Sequence, residues 1–163
     1  MKVAIFLGSG SDYNVAKEAV EMLREFGVPY ALEVTSAHRS PERTLNLIRQ
    51  FEAKGVEVFI AIAGKAAHLA GFVASHSLRP VIGVPVESKG LGGLDALLST
   101  VQMPKGIPVA TMGLGESGAA NAALLAVQIL SQKEEGLKEK IKDYRKKMAS
   151  RVEKKSEKIK EEL

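Results

Sequence analysis

A chain of 163 residues is long enough for one domain with a sizeable core and short for two. It contains no cysteine, which excludes disulfides, thiolate metal sites and a cysteine nucleophile. Its formal charge of +4 resides in residues 133–163, where twelve Lys/Arg face eight Asp/Glu, because residues 1–132 hold eleven of each. Mixed-sign charge of this kind marks a solvated helix face. It is not the basic stripe with readout residues that a nucleic-acid partner would require. The apolar start, residues 1–7, breaks at Gly8-Ser9 and is too short for a secretory signal, and no run approaches a membrane span. The expectation is a soluble cytoplasmic protein with no nucleic-acid or membrane partner.

The first predicted element is a strand at 3–7 (VAIFL), a continuous apolar run of the kind found in buried parallel strands. Val15, Ala19, Met22, Leu23 and Phe26 then recur at helical spacing, and Gly27 is a natural stop. A strand at about 30–35 precedes Ser40-Pro41, an N-cap residue followed by Pro at the first helical position. The helix that begins there presents Leu45, Ile48 and Phe51 on one face and ends at Gly55. Residues 56–63 read as a central strand, 66–77 as a helix and 80–84 as a fourth strand. A helix near 92–100, a fifth strand at 107–112 and an Ala-dense helix at 117–131 complete the alternation. Ala119, Ala120, Ala122, Ala123 and Ala126 permit close helix approach, which suits internal packing and a subunit interface equally.

Five strands alternating with helices predict an α/β fold: a parallel sheet covered on both faces, with the flavodoxin-like strand order as the expectation. Residues 1–132 form the predicted α/β domain. From 133 onward Leu137, Ile141, Tyr144, Met148 and Val152 make a narrow apolar stripe, which Ile159 and Leu163 extend less regularly. This reads as a projecting amphipathic helix over 133–163 whose stripe needs a partner surface.

Ligands of open parallel sheets bind beyond the carboxyl ends of the strands. After the first strand comes Gly8-Ser9-Gly10-Ser11-Asp12, running into a helix. Glycines admit close backbone approach, hydroxyls donate, and a helix start favours an anion, so phosphate is one reading and plain N-capping the other. The stretch matches neither the dinucleotide fingerprint nor a P-loop. After the second strand, Ser36-Ala37-His38-Arg39 combines a residue able to exchange protons near neutral pH with a forked phosphate donor. After the third, Gly64-Lys65-Ala66-Ala67-His68-Leu69-Ala70-Gly71 leaves room for a planar ring. His68 there lines that pocket or caps and packs, and both readings stand. His76 reads as structural or exposed. The three histidines have no carboxylate at ligand spacing, so no metal site is expected.

Several stretches together resemble the N5-carboxyaminoimidazole ribonucleotide mutase family, which is related to the phosphoribosylaminoimidazole carboxylases. They are GSGSD (8–12), SAHR (36–39) with Pro41, AAHL (66–69), GVPV (83–86), GLDALLS (93–99), QMPKGIPVAT (102–111) and NAALLA (121–126), in order across roughly residues 3–130. The resemblance implies a three-layer α/β/α subunit in a homo-octamer, with C-terminal helices reaching onto neighbours. It implies transfer of the substrate's N5-carboxylate to C4 of the imidazole ring, a step of purine biosynthesis, with no metal, nucleotide or organic cofactor. Carried over residue by residue, His38 is the general acid/base. Ser9, Ser11, Asp12 and Arg39 meet the ribose and 5′-phosphate, and Ser36, Ala37, Gly64, Lys65, Ala66, His68 and Leu69 wall the imidazole and the migrating carboxylate.

Two departures stand out: Lys65 where the family usually has Gly, and Ala70 where it usually has Pro. The related class that carboxylates aminoimidazole ribonucleotide directly with carbon dioxide also varies this loop, but typically loses AAHL, which is present here. A flavodoxin-like module that only binds a phospho-ligand is the non-enzymatic alternative. Flavin binding would call for aromatics in the strand-end loops, and none of the three contains one. A receiver-type domain would need an acidic residue after the third strand, where residues 61–65 (AIAGK) offer none.

Overall fold

The computed structural model describes residues 1–162. Five parallel strands, β1 (Val3–Leu7), β2 (Tyr30–Val34), β3 (Val58–Gly64), β4 (Val81–Val86) and β5 (Ala110–Thr111), lie in the order β2-β1-β3-β4-β5. This is the flavodoxin-like order, and it places β1 beside β3 at the point where the chain reverses its direction of travel across the sheet. Among the described residues six α-helices accompany the strands: α1 (Tyr13–Phe26), α2 (Pro41–Ala53), α3 (Leu69–His76), α4 (Leu94–Val101), α5 (Gly115–Ser131) and α6 (Glu135–Glu161).

The sheet is apolar on both faces because helices cover both. Ala4, Phe6, Phe59, Ala61 and Ala63 point to one side, into a core completed by Leu47, Ile48 and Phe51 of α2, Val73 of α3 and Ala96 of α4. Phe6 anchors it, with ring centroids 5.5 Å from Phe59 and 5.9 Å from Phe51, a spacing that adds aromatic contact to simple burial. The alternate residues, Val3, Ile5, Leu7, Val58, Ile60 and Ile62, are fully buried on the other side. α1 packs against β1 and buries Ala16, Ala19, Leu23 and Phe26. It ends where Gly27 takes a left-handed conformation (φ 70°).

The structure corrects several sequence-derived boundaries. On α1 the buried stripe runs through Ala16, with Val15 and Met22 at its margins, and on α2 Leu47 is buried while Leu45 is half-exposed. Ser40 stands at the N-cap of α2 but does not cap it with its side chain, because its hydroxyl is engaged with the backbone of Ser36. α3 begins three residues later than expected. Lys65 has a positive φ, and the tight bonds Ala67 N to Lys65 O and His68 N to Ala66 O hold residues 65–68 in a non-helical loop. β4 continues two residues beyond the expected end, to Val86, and so delivers Glu87 to the carboxyl rim. β5 shrinks from the expected six residues to two, since Pro108 has no N–H to give a ladder. Pro85 is tolerated within β4 because pairing with β5 reaches only Ile82 and Gly83.

By backbone contacts the chain divides into two compact units, Met1–Ala126 and Val127–Leu163, with the division inside α5. In the first unit, Ala119, Ala122, Ala123 and Ala126 of α5 are fully buried within the single chain, which accounts for the Ala-dense stretch by internal packing. In the second unit, α6 runs for 27 residues. Leu137 and Ile141 are buried, whereas Met148, Val152 and Ile159 are about half or more exposed, at 47%, 68% and 60%. Leu163, expected at the end of this stripe, lies outside the described residues. Among the described residues no helix is long and apolar enough to cross a membrane.

Candidate active site

The loops after β1, β2, β3 and β4 enclose a cleft of about 710 Å³, within the range of small-ligand sites. Its β1 wall begins where Gly8 N donates to Ile62 O (2.9 Å), continuing the sheet for one more step. Ser9 then turns extended and caps a single 3-10 turn over Gly10–Asp12. Its Oγ accepts from Ser11 N (3.3 Å) and from Ser11 Oγ (2.9 Å). Asp12 occupies the N-cap position of α1 without a side-chain cap bond, so its carboxylate is not consumed by capping. It is only 6% exposed. Burial pushes its pKa above the usual carboxylate value, opposed by hydrogen bonds from the Ser11 side chain and the Ser9 backbone and by the charge of Arg39.

The β2 wall is tied to itself and to β1. Ser36 N donates to Ser40 Oγ (3.1 Å), Ser40 N to Ser36 O (2.9 Å) and Arg39 N to Ser36 Oγ (3.2 Å). Beneath this loop the hydroxyls of Thr35 and Thr44 share a buried bond of 2.7 Å. Arg39 Nη2 reaches across to Gly8 O at 3.0 Å, which fixes the guanidinium at the cleft and leaves its other donors available to an anion.

His38 stands in the wall of the cleft. Its Nε2 lies 2.9 Å from His68 Nδ1, with the two rings edge-on at a centroid distance of 4.9 Å. Each histidine therefore restrains the ring orientation of the other, and the shared hydrogen bond couples their tautomers, one ring donating and the other accepting.

Of the residues named from sequence, Ser9, Ser11, Asp12, Ser36, Ala37, His38, Arg39, Gly64, Lys65, Ala66 and Leu69 line this one cleft. His68 does not. It is hydrogen-bonded to His38 and borders an adjoining hollow of about 390 Å³ that shares Ala37 and His38 with the cleft. His76 lies apart, stacked on Phe72 with its Nδ1 2.8 Å from Phe72 O. Among the described residues no group of three His, Asp or Glu is placed to hold a metal ion. Gly8, Ala63, Glu87, Ser88 and Lys89 also line the cleft and were not anticipated. The signal for the last three was available: the apolar run of β4 continues through Pro85-Val86, and whatever follows a strand of this sheet stands on the ligand rim.

A flavodoxin-like sheet whose carboxyl rim joins hydroxyls, an arginine fork and a ring-fixed histidine around one cleft defines an α/β enzyme for a small anionic substrate. Residues 2–151 match the family model described as AIR carboxylase. The chain is 53% identical over 159 residues to the N5-carboxyaminoimidazole ribonucleotide mutase of Pyrococcus horikoshii, covering 98% of this chain and 89% of that one. It is 47% identical over 151 residues to the mutase of Escherichia coli, covering 93% and 89%. Among solved structures, Treponema denticola PurE superposes with a TM-score of 0.85 at 31% identity, covering 93% of this chain and 94% of that one. The chain belongs to the AIR carboxylase family.

Proposed function

We propose that this protein converts N5-carboxyaminoimidazole ribonucleotide to 4-carboxyaminoimidazole ribonucleotide, a mutase step of purine biosynthesis. The observation that carries the reading is the identity, near half and over nearly the whole chain, with relatives bearing that name.

The roles follow from the chemistry. The substrate's 5′-phosphate meets Arg39 and the hydroxyls of Ser9 and Ser11, with Ser9 and Asp12 at the ribose side. Ser36, Ala37, Gly64, Lys65, Ala66 and Leu69 enclose the imidazole, and the small side chains among them leave room for a planar ring. The carbamate C–N bond breaks, N5 takes a proton, and carbon dioxide is released beside C4. C4 then attacks the carbon dioxide, and the C4 proton departs to restore aromaticity. His38 gives the first proton and takes the second, so it ends the cycle as it began. Holding carbon dioxide against C4 makes the second step effectively intramolecular. His68 acts through His38 as a positioning residue, and the 2.9 Å contact of its Nδ1 with His38 Nε2 supports that role.

Supplying the purified protein with the carbamate, or with aminoimidazole ribonucleotide and bicarbonate, tests the assignment. Rapid turnover of the carbamate is expected, and turnover of the second mixture alone would overturn it. The active form is a cytoplasmic homo-octamer in which the exposed apolar positions Met148, Val152 and Ile159 of α6 rest on neighbouring subunits. Truncation after Gln132 is expected to reduce the assembly to smaller species on light scattering, and an unchanged octamer would reject that role.

A further inference from the structure

The two ends of the cleft differ in charge. At the β1–β2 end the one cation, Arg39, faces the one anion, Asp12, and is bonded to Gly8 O. At the β3–β4 end two cations, Lys65 and Lys89, line the cleft with one anion, Glu87, and none of these three side chains takes part in an ion pair or hydrogen bond among the described residues. With strands about 4.8 Å apart, the β2 and β4 loops are separated by three strand steps, roughly 14 Å, across the rim. The cleft is thus built with a cation at each end.

Lys65 carries a second, independent mark. It has φ 56°, and every other positive-φ residue in the described chain is glycine. A Cβ in this region crowds the following carbonyl, so a side chain here is held against a conformational cost. Strain of that kind concentrates where a side chain has work in a site. The backbone alone would be better served by glycine; the ammonium is what glycine lacks.

We propose that Lys65 and Lys89 form a second anion subsite, which holds the carboxylate of the substrate while Arg39 holds its phosphate. This rests on the mutase reading and deepens it by naming the groups that read the reacting end. The ligand class is a ribonucleotide that carries a carboxylate on its base. Two unpaired ammonium groups favour such a ligand over the same nucleotide without the carboxylate, and they hold the charged group before the carbamate breaks and again once the new C–C bond has formed.

The test compares 4-carboxyaminoimidazole ribonucleotide with aminoimidazole ribonucleotide, which lacks only the carboxylate, by calorimetric titration of the full chain. Lys65→Gly with Lys89→Gln is expected to weaken binding of the carboxylated ligand about tenfold or more and that of the other by less than about twofold. Lys65→Arg, which keeps the charge, restores most of the difference. Equal loss for both ligands, or loss for neither, overturns the subsite. Failure of the mutase reading is separately visible, as a wild-type protein that binds both nucleotides but does not turn over the carbamate.

Discussion

The two halves of the cleft rim are built on opposite plans. The β1–β2 half is a lattice of hydrogen bonds in which Ser9, Ser11, Ser36, Arg39 and Ser40 each engage the backbone or one another before any ligand arrives. The β3–β4 half is made of small residues and unpaired charges, with one lysine in a left-handed turn. A pre-bonded wall loses little freedom when an anion docks, and so suits a group that stays in place through the reaction. An open, charged wall suits the group that moves. His38, on the β2 loop, joins the halves through its hydrogen bond to His68 on the β3 side.

Removing the group at the junction should have the largest effect. His38→Asn is expected to lower kcat by about 10²–10⁴ while nucleotide binding by titration stays near wild type. Near-normal turnover would reject His38 as the proton carrier. On the pre-bonded half, Arg39→Ala is expected to raise KM roughly 10- to 100-fold with a smaller effect on kcat, since a charge-assisted contact made in both ground and transition states is lost. A fall in kcat at unchanged KM would place Arg39 in the chemistry instead.

Smaller effects sharpen the contrast in stability. The raised pKa of Asp12 means that the folded state binds its proton more tightly than the unfolded chain does. Stability from this group is therefore lost as pH rises from the unfolded value toward the folded one, and the deficit persists at neutral pH. Asp12→Asn should raise Tm at neutral pH, with the difference vanishing as pH falls below the ordinary carboxylate range, while activity falls. A Tm lower than wild type at neutral pH would show that the carboxylate is net stabilising. On the open half, Lys65→Gly relieves the left-handed backbone but adds freedom to the unfolded chain, so a gain of about 0–1 kcal/mol is expected by denaturant unfolding. A clear loss would mean that the Lys65 side chain contributes to packing.

The same division appears in what could be read from residues alone. The β1 and β2 loops announce themselves because Gly, Ser, Asp, His and Arg are clustered directly after short apolar runs. The partners of the serines are a few residues away, as in Ser9 with Ser11 and Ser36 with Ser40. Glu87, Ser88 and Lys89 escape a reading that ends the fourth strand at Val84, although the apolar run continues through Pro85-Val86 and puts residue 87 on the rim. His68 could not be separated from the ring pocket by sequence, because its place depends on a contact with a residue thirty positions earlier.

The sequence by itself determined the alternation of strands and helices, the polar loops after β1 and β2 that line the cleft, and the family. Those depend on local periodicity, on turn chemistry and on motifs contiguous in the chain. Only the tertiary structure decided that His68 is hydrogen-bonded to His38, that Arg39 is anchored on Gly8, that Asp12 is buried with a raised pKa, and that Lys65 and Lys89 share an end of the cleft. Each of these depends on which strand ends the sheet order brings side by side, and that order is fixed by packing across the whole domain.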